Sequence, residues 1–464
     1  MKRNSDWKKV VVIVLSIIGA ITALFALLKK RKEYRDIIEY DHLTGLISER
    51  KFIEEANKLL EDNPREKYTI ISVDIDNFKY INDMYGYEVG TEIIKKFSRY
   101  LQGFMGRPLL MTRRFSDNFL IMERTADAKK KLVKAADSGE DVNRNLDEIL
   151  GESYNFSFSI GRYDVGNRHN NLNYMVDCAN YARVQGKQTI GLTFTPFTES
   201  MREERERNNR IIATMDKALE NGDFVLFYQP KVDMVTEKIC GAEALIRWKR
   251  DGKIVAPDEF IPVFEKNGFI EKIDYYVVEQ VCQFIRENEA YHLPVLSINL
   301  SGITVINDDV VENIMKIVQQ YKIKPSQLDL EITESAFVGN LYKVVDKIKE
   351  LRTKWFKISM DDFGSGISSF NRLKSIPLDI LKIDREFIID SIENDKGGAI
   401  IKNILNMATD LGLESVAEGI ETKEQCKFLQ ELGCNVGQGY YFARPLPPEE
   451  FLAKIKEQNE KDLV

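Results

Sequence analysis

Histidine is nearly absent. The three in 464 residues, His42, His169 and His292, stand far apart, so a site built on clustered imidazoles has no basis. The five cysteines, Cys178, Cys240, Cys282, Cys426 and Cys434, form no CxxC pair. That argues against a zinc site or a disulfide framework and for reduced thiols in a cytosolic setting. Basic excess is missing as well. The formal charge is −7, which speaks against a broad nucleic-acid-binding face, and no nucleic-acid polymer is expected as a partner.

What is present is length and one apolar run. A chain of 464 residues exceeds one ordinary core, and 44% hydrophobic with 30% charged residues suits soluble folded units, two or three of them. Residues 10–28, VVVIVLSIIGAITALFALL, carry no charge. About 20 such residues cross a bilayer core. Lys29, Lys30, Arg31 and Lys32 follow at once, with no small-x-small cleavage site, so residues 1–36 are expected to be an uncleaved transmembrane anchor and juxtamembrane segment. Lys2, Arg3, Lys8 and Lys9 precede the run, so the positive-inside rule only weakly favours a cytoplasmic C-terminal side. The expectation is a single-pass protein of the inner (cytoplasmic) membrane with its folded units in the cytoplasm. A head this short leaves no extracytoplasmic sensor domain.

Residues 37–198 mix strands and helices as one α+β domain. YTIISVD at 68–74 is a β-branched strand of the kind buried on both faces, MTRRFSDNFL at 111–120 a hairpin, and 156–161 a further strand. DHLTGL at 41–46, DIDNFKYIND at 74–83, YGYEVG at 85–90, SIG at 159–161 and YARVQGKQTI at 181–190 resemble the GGDEF domain of diguanylate cyclases, which condense two GTP molecules into cyclic di-GMP. Where that family has Gly-Gly-Asp-Glu-Phe, this chain has Phe115, Ser116, Asp117, Asn118 and Phe119. A Cβ or a phenyl ring removes the room two glycines give a nucleotide, and Asn118 offers a neutral oxygen where Mg²⁺ prefers a carboxylate. Thr91 stands in place of a guanine-contacting Asp, Asp74 and Asn82 are retained, and the inhibitory RxxD is absent at 106–109. The resemblance implies a domain without cyclase activity, kept for packing or dimerisation; the other reading is a GTP sensor without turnover. Residues 199–209 are a charge-rich helical connector, a passive spacer or a transmitter of rotation.

From 210 to 464 the chain repeats strand and helix. Strands are predicted at 225–232, 241–247, 295–300, 328–333, 357–360, 380–383, 414–417 and 435–440, and eight of them with intervening helices fit an irregular TIM-like (β/α)8 barrel. The link after the first strand is too short for a helix, so one strand should run antiparallel. KISMDDFGSGISS at 357–369 brings Asp361 and Asp362 to a strand end. Such a pair is either a helix N-cap with a solvated neighbour or two acids that share a cation. Polar groups recur at the ends of the other strands: Glu243, Asn299, Glu331 and Glu334, Lys382 and Asp384, Glu418, Gln438. Barrel sites are assembled from several such ends. All-oxygen ligands point to Mg²⁺ or Mn²⁺, and two such ions suit phosphodiester hydrolysis.

The motifs Glu243-Ala244-Leu245-x-Arg247, NLS at 299, EITES at 331, DDFGSG at 361, LKIDREF at 381, AEGIE at 417 and QGYYFARPLP at 438 resemble the EAL domain, the cyclic di-GMP phosphodiesterase family. The resemblance implies that Glu243, Asn299, Glu331 and Asp361 hold one metal ion, and that Asp361, Asp362 and Glu418 hold a second. Glu418 and Lys382 serve the attacking water, with Asp362 beside them. Gln229, Leu245 and Arg247 contact substrate. Gln438 lies at the same site, with Asp384 nearby. Glu334 anchors the loop 362–369, which in the family couples dimerisation to metal binding. The expected function is that of a membrane-anchored, homodimeric phosphodiesterase that converts cyclic di-GMP to linear pGpG, with a non-catalytic cyclic di-GMP receptor as the alternative.

Overall fold

The computed structural model describes residues 38–106, 108–137, 146–147, 149–150, 154, 156–166, 171–186, 193–337, 340–364, 376–392 and 395–462, with residues 24 and 30. The expected span at 10–28 lies, save one residue, outside them, as do 187–190 of the first domain's last motif and 365–369 of the loop after Asp362. Among the described residues no helix is long and apolar enough to cross a membrane. The chain divides into two compact units, Met1–Glu206 and Arg207–Val464. The division falls inside one helix, Glu199–Glu220, which runs past the connector expected at 199–209.

The first unit is a five-stranded sheet in the order β2-β3-β1-β4-β5, with β1 Tyr68–Ile75, β2 Leu110–Phe115, β3 Asn118–Arg124, β4 Phe158–Asp164 and β5 Thr193–Pro196. The central strand β1 is buried along nearly its whole length, as its β-branched run predicts. It pairs antiparallel with β3 on one side and β4 on the other. Strand β4 begins two residues later than its sequence suggests and runs on to Asp164. At 41–46 the chain makes a turn. The Asp41 carboxylate accepts from Thr44 N at 2.9 Å and from Arg113 Nη2 at 2.7 Å. Burial pushes Asp41 up, but the Arg113 and Thr44 bonds prevail and hold it at about 2.

The second unit closes a barrel. Its eight staves are β6 Phe224–Asp233, β7 Lys238–Arg250, β9 Val295–Asn299, β10 Leu328–Thr333, β11 Lys357–Phe363, β12 Ile380–Ile383, β13 Glu414–Ala417 and β14 Val436–Gln438. Strand β6 is antiparallel to both β7 and β14, as the short first link requires, and the other staves are parallel. A ninth strand, β8 Lys253–Val255, pairs with the end of β7. The sequence reading missed it, although Asp251 and Gly252 carry its signal: both have positive φ, 50° and 73°, as a tight hairpin turn demands.

The alternation along the staves sets the function of each face. Leu328, Leu330 and Ile332 of β10, Ile358 and Met360 of β11, and Leu381 and Ile383 of β12 are buried outward against the helices. Full burial of each such side chain is worth about 1.5–3 kcal/mol. The intervening residues, Asp329 and Glu331, Ser359 and Asp361, and Lys382, project to the barrel interior on the two-residue period of a strand. The interior is therefore lined with polar side chains where a barrel of this class usually packs branched aliphatics.

Candidate metal centre

Lys382 is the hub of the barrel interior. Its ammonium is fully buried and lies 2.5 Å from Glu331 Oε2, 2.6 Å from Glu418 Oε1, 3.0 Å from Asp361 Oδ1 and 3.5 Å from Glu243 Oε2. Those four acids come from β10, the end of β13, β11 and β7, so only barrel closure brings them together. Two overlapping acid groups result, Glu243 with Glu331 and Asp361, and Asp361 with Asp362 and Glu418. In each, one carboxylate oxygen per residue lies within 4.8 Å of the others. An all-oxygen donor set of this compactness fits hard divalent ions.

The remaining neighbours orient the acids. Asn299 Nδ2 donates to Glu243 Oε1 at 2.6 Å. Gln438 Nε2 donates to Glu243 Oε2 at 2.6 Å and to Gln229 Oε1 at 3.2 Å. Gln229 in turn donates to Ala443 O at 3.2 Å. The Gln438 Oε1 atom is buried and finds no donor among the described residues, which leaves it capacity to spare. Arg247 and Leu245 share the Glu243 face of β7 at two-residue spacing. Arg247 touches none of the acids. Its guanidinium stacks over Phe227 at 5.8 Å and donates to Ile246 O, which leaves it at the rim.

Asp361 and Asp362 differ from the sequence expectation in one respect. Strand β11 does not stop before them; it continues to Phe363, and its pairing with β12 slips between Met360 and Phe363. Asp362 takes a left-handed φ of 56°, which turns consecutive side chains that would otherwise point apart toward one rim. Glu334 is buried and accepts from Gly364 N at 3.2 Å, so it holds the first residues after the bulge. Asp384 Oδ1 accepts from Glu386 N at 2.8 Å at the start of the helix Arg385–Ile392.

Electrostatics separates the acids. Burial pushes Glu418 up, Lys382 opposes it, and the other acids add to the rise, which ends at about 8. Burial also raises Glu243 and Asp361 against the pull of Lys382. Glu331 is as deeply buried, yet Lys231 and Lys382 overcome the burial and hold it down to about 2. Lys231 is the member that sequence reasoning missed. Its signal was its place two residues after Gln229 in YQPKVD, on the same inward face of β6.

Asp274 was missed too. It lies on the helix Ile270–Glu287, is buried, and one oxygen accepts from Ser301 N at 3.0 Å and Thr304 Oγ1 at 2.6 Å. It thereby fixes the turn that follows Asn299. Burial raises its pKa to about 6 against the lowering effect of the Thr304 and Ser301 bonds. The folded value exceeds the unfolded one, so the folded state holds the extra proton and this group costs stability as pH rises from about 4 to about 6, reaching about 3 kcal/mol above that. Asp274→Asn keeps an acceptor oxygen without the charge. Denaturant melts of both proteins from pH 4 to pH 7.5 should show the variant gaining relative to wild type as pH rises; parallel profiles would contradict this account.

In the first unit the signature turn joins β2 to β3. Phe115 is 62% exposed there, and Ser116 takes a φ of 47° where a glycine would be unstrained. Asp117 Oδ2 accepts from Ile75 N at 3.0 Å, and Asn118 spends its amide nitrogen on Ser72 Oγ and Val73 O at 3.4 and 3.5 Å. Asp74 lies 2.5 Å from Arg183 Nη1, whose other nitrogens reach Asn180 Oδ1. Asn82 packs on Gly90, where an added Cβ would meet its Oδ1 at 1.9 Å. Thr91 bonds back to Tyr87 O.

Comparison with known proteins agrees with this architecture. The profile of the EAL domain matches residues 212–445, and that of the diguanylate cyclase GGDEF domain matches residues 38–191. The signaling protein YkoW of Bacillus subtilis (strain 168) is 31% identical over 440 residues, which are 93% of this chain and 54% of YkoW. The bifunctional diguanylate cyclase/cyclic di-GMP phosphodiesterase MucR of Pseudomonas aeruginosa is 29% identical over 483 residues, 97% of this chain and 69% of MucR. The chain spans about half the length of several curated relatives it matches, 54% and 52% for two of them. Among solved structures, the PaMucR phosphodiesterase in complex with c-di-GMP superposes with a TM-score of 0.50 at 34% identity, covering 52% of this chain and 99% of that one. The EAL enzyme Bd1971, bound to cAMP and cyclic di-GMP, superposes at 0.52 and 24% identity over 74% of this chain and 82% of its own, a likeness of fold. The chain thus belongs to the EAL domain family, with a GGDEF domain in tandem before the barrel.

Proposed function

We propose that the barrel hydrolyses cyclic di-GMP to linear pGpG with two divalent ions, Mg²⁺ or Mn²⁺. The observation that carries this reading is the pair of acid groups that share Asp361 around Lys382. Glu243, Asn299, Glu331 and Asp361 would hold one ion, and Asp361, Asp362 and Glu418 the other. Bound there, such ions would activate the attacking water and offset charge on the phosphate. Hydrolysis adds water across one phosphodiester. The water's oxygen bonds to phosphorus and its proton passes to Glu418 in its ionised form; the bond from phosphorus to the ribose 3′ oxygen breaks, and that oxygen takes its proton from solvent water. Lys382 balances the acids and the phosphate, and Arg247 at the rim meets a phosphate oxygen.

The first unit, on this reading, makes no cyclic di-GMP. Exposed Phe115, strained Ser116 and the committed amide of Asn118 support that, as does the guanidinium of Arg183 against Asp74. Its contribution is association of two chains, aided by an anchor at 10–28 in the inner membrane that raises local concentration, with both units in the cytoplasm. The purified chain with cyclic di-GMP and Mn²⁺ should yield pGpG by chromatography, stop on addition of EDTA, and form no cyclic di-GMP from GTP. Undiminished hydrolysis in excess EDTA would refute the metal requirement. Tight binding without turnover would make the barrel a receptor instead.

A further inference from the structure

Beneath the acids lies a second polar layer. Ser297, Asp329 and Ser359 each precede a member of the upper layer, Asn299, Glu331 and Asp361, by two residues on the same strand. They therefore face the interior one step deeper. Strand β6 runs the other way, so its deeper residue follows the upper one: Lys231 lies below Gln229.

These four side chains form a closed set. Lys231 Nζ donates to Ser297 Oγ at 2.5 Å and to Glu331 Oε1 at 2.6 Å, and lies 3.5 Å from Asp329 Oδ2. Ser297 Oγ donates to Asp329 Oδ2 at 2.7 Å, and Ser359 Oγ donates to Asp329 Oδ1 at 2.7 Å. All are buried, Asp329 to 1% exposure and Lys231 to 5%. Gly241 faces Lys231 across the β6–β7 ladder, and a Cβ there would already touch the lysine stem at 3.5 Å. The layer is buried and meets the acids through the Lys231–Glu331 bond, so its chemistry is directed at the acids themselves.

We propose that Lys231 is a positioning residue of the metal centre, which pins Glu331 Oε1 from below so that Glu331 turns toward an ion only Oε2, the oxygen it shares with Lys382. Asp329 holds Lys231 in place, directly and through Ser297. This rests on the reading that the acids bind divalent ions. A carboxylate free to rotate could engage an ion with both oxygens or swing away from it; one fixed by a buried ammonium can do neither. Partners that orient ligands in this way commonly govern affinity about 10–100-fold.

The test measures Mn²⁺ binding to the purified chain by electron paramagnetic resonance, beside melting temperature, KM and kcat. Lys231→Met should weaken Mn²⁺ binding by about 10–100-fold, with KM for cyclic di-GMP nearly unchanged. Asp329→Asn leaves the Lys231–Glu331 bond in place and should lower the melting temperature with far less loss of Mn²⁺ affinity. The double variant Lys231→Met/Asp329→Asn removes the buried charge imbalance. It should recover the melting temperature without recovering Mn²⁺ affinity. Recovery of both would reduce Lys231 to a counter-ion for Asp329 and overturn the proposal. If Lys231→Met fails to fold, Ser297→Ala, which leaves every charge in place, should still weaken Mn²⁺ binding; unchanged affinity there would also overturn it. Wild-type chain that binds no Mn²⁺ would bring down both the proposal and the metal reading. Wild type that binds Mn²⁺ without hydrolysing cyclic di-GMP would bring down the hydrolytic reading alone.

Discussion

Asp361→Ala should reduce hydrolysis of cyclic di-GMP by about 1,000-fold at saturating Mn²⁺, because losing the carboxylate shared by both acid groups would remove several kcal/mol of charge stabilisation, about 4 kcal/mol at that ratio. Asp361 is the one residue common to both acid groups, so its loss would touch both proposed ion positions together. Asp361→Asn, which preserves shape but not charge, should fall nearly as far. Folding should survive either change, since Lys382 keeps Glu331 at 2.5 Å and Glu418 at 2.6 Å. Steady-state chromatography at several Mn²⁺ concentrations separates loss of rate from loss of affinity. A variant within tenfold of wild type at saturating Mn²⁺ would remove Asp361 from the centre.

Lys382→Met should be costly in a different way. The ammonium is fully buried among Glu243, Glu331, Asp361 and Glu418, and its pKa is raised well above the ordinary lysine value because their attraction exceeds the burial penalty. Removing one partner of a buried charged set typically costs about 3–5 kcal/mol. At about 2–4 °C per kcal/mol for a unit of this size, the melting temperature in EDTA should fall by about 6–20 °C. Divalent ions can replace the missing positive charge, so Mn²⁺ should restore much of the lost stability, more than it adds to wild type. Scanning calorimetry with EDTA and with Mn²⁺ reads both numbers. Equal Mn²⁺ stabilisation of the two proteins would contradict the idea that Lys382 balances the acids proposed to bind the ion.

Much of the barrel was legible because its signals are local. The strands β10 and β11 alternate apolar with polar residues, and each polar residue near a strand end, Glu331, Asp361 or the lone polar Lys382 of β12, identifies itself by position. The short link between β6 and β7 announced the antiparallel stave in the same way. Strand β8 was overlooked because three residues, Lys253–Val255, make too short a run to register, although the turn before it was readable. The bulge at Asp361 and Asp362 was not readable, since the slip of register against β12 depends on a neighbouring strand.

The sequence by itself determined the composition of each face: which side chains lie outward among helices, which lie inward, and that the inward set is rich in oxygen and poor in histidine. A two-residue period and a residue's own chemistry suffice for that. Only the tertiary structure decided who meets whom. Lys231 and Glu331 are 100 residues apart, Lys382 and Glu243 are 139 apart, and Arg183 and Asp74 are 109 apart. Nothing in either member of such a pair names the other. Sheet register and barrel closure fix the match. Burial then enforces it, because a charge withdrawn from water must find its partner within the protein.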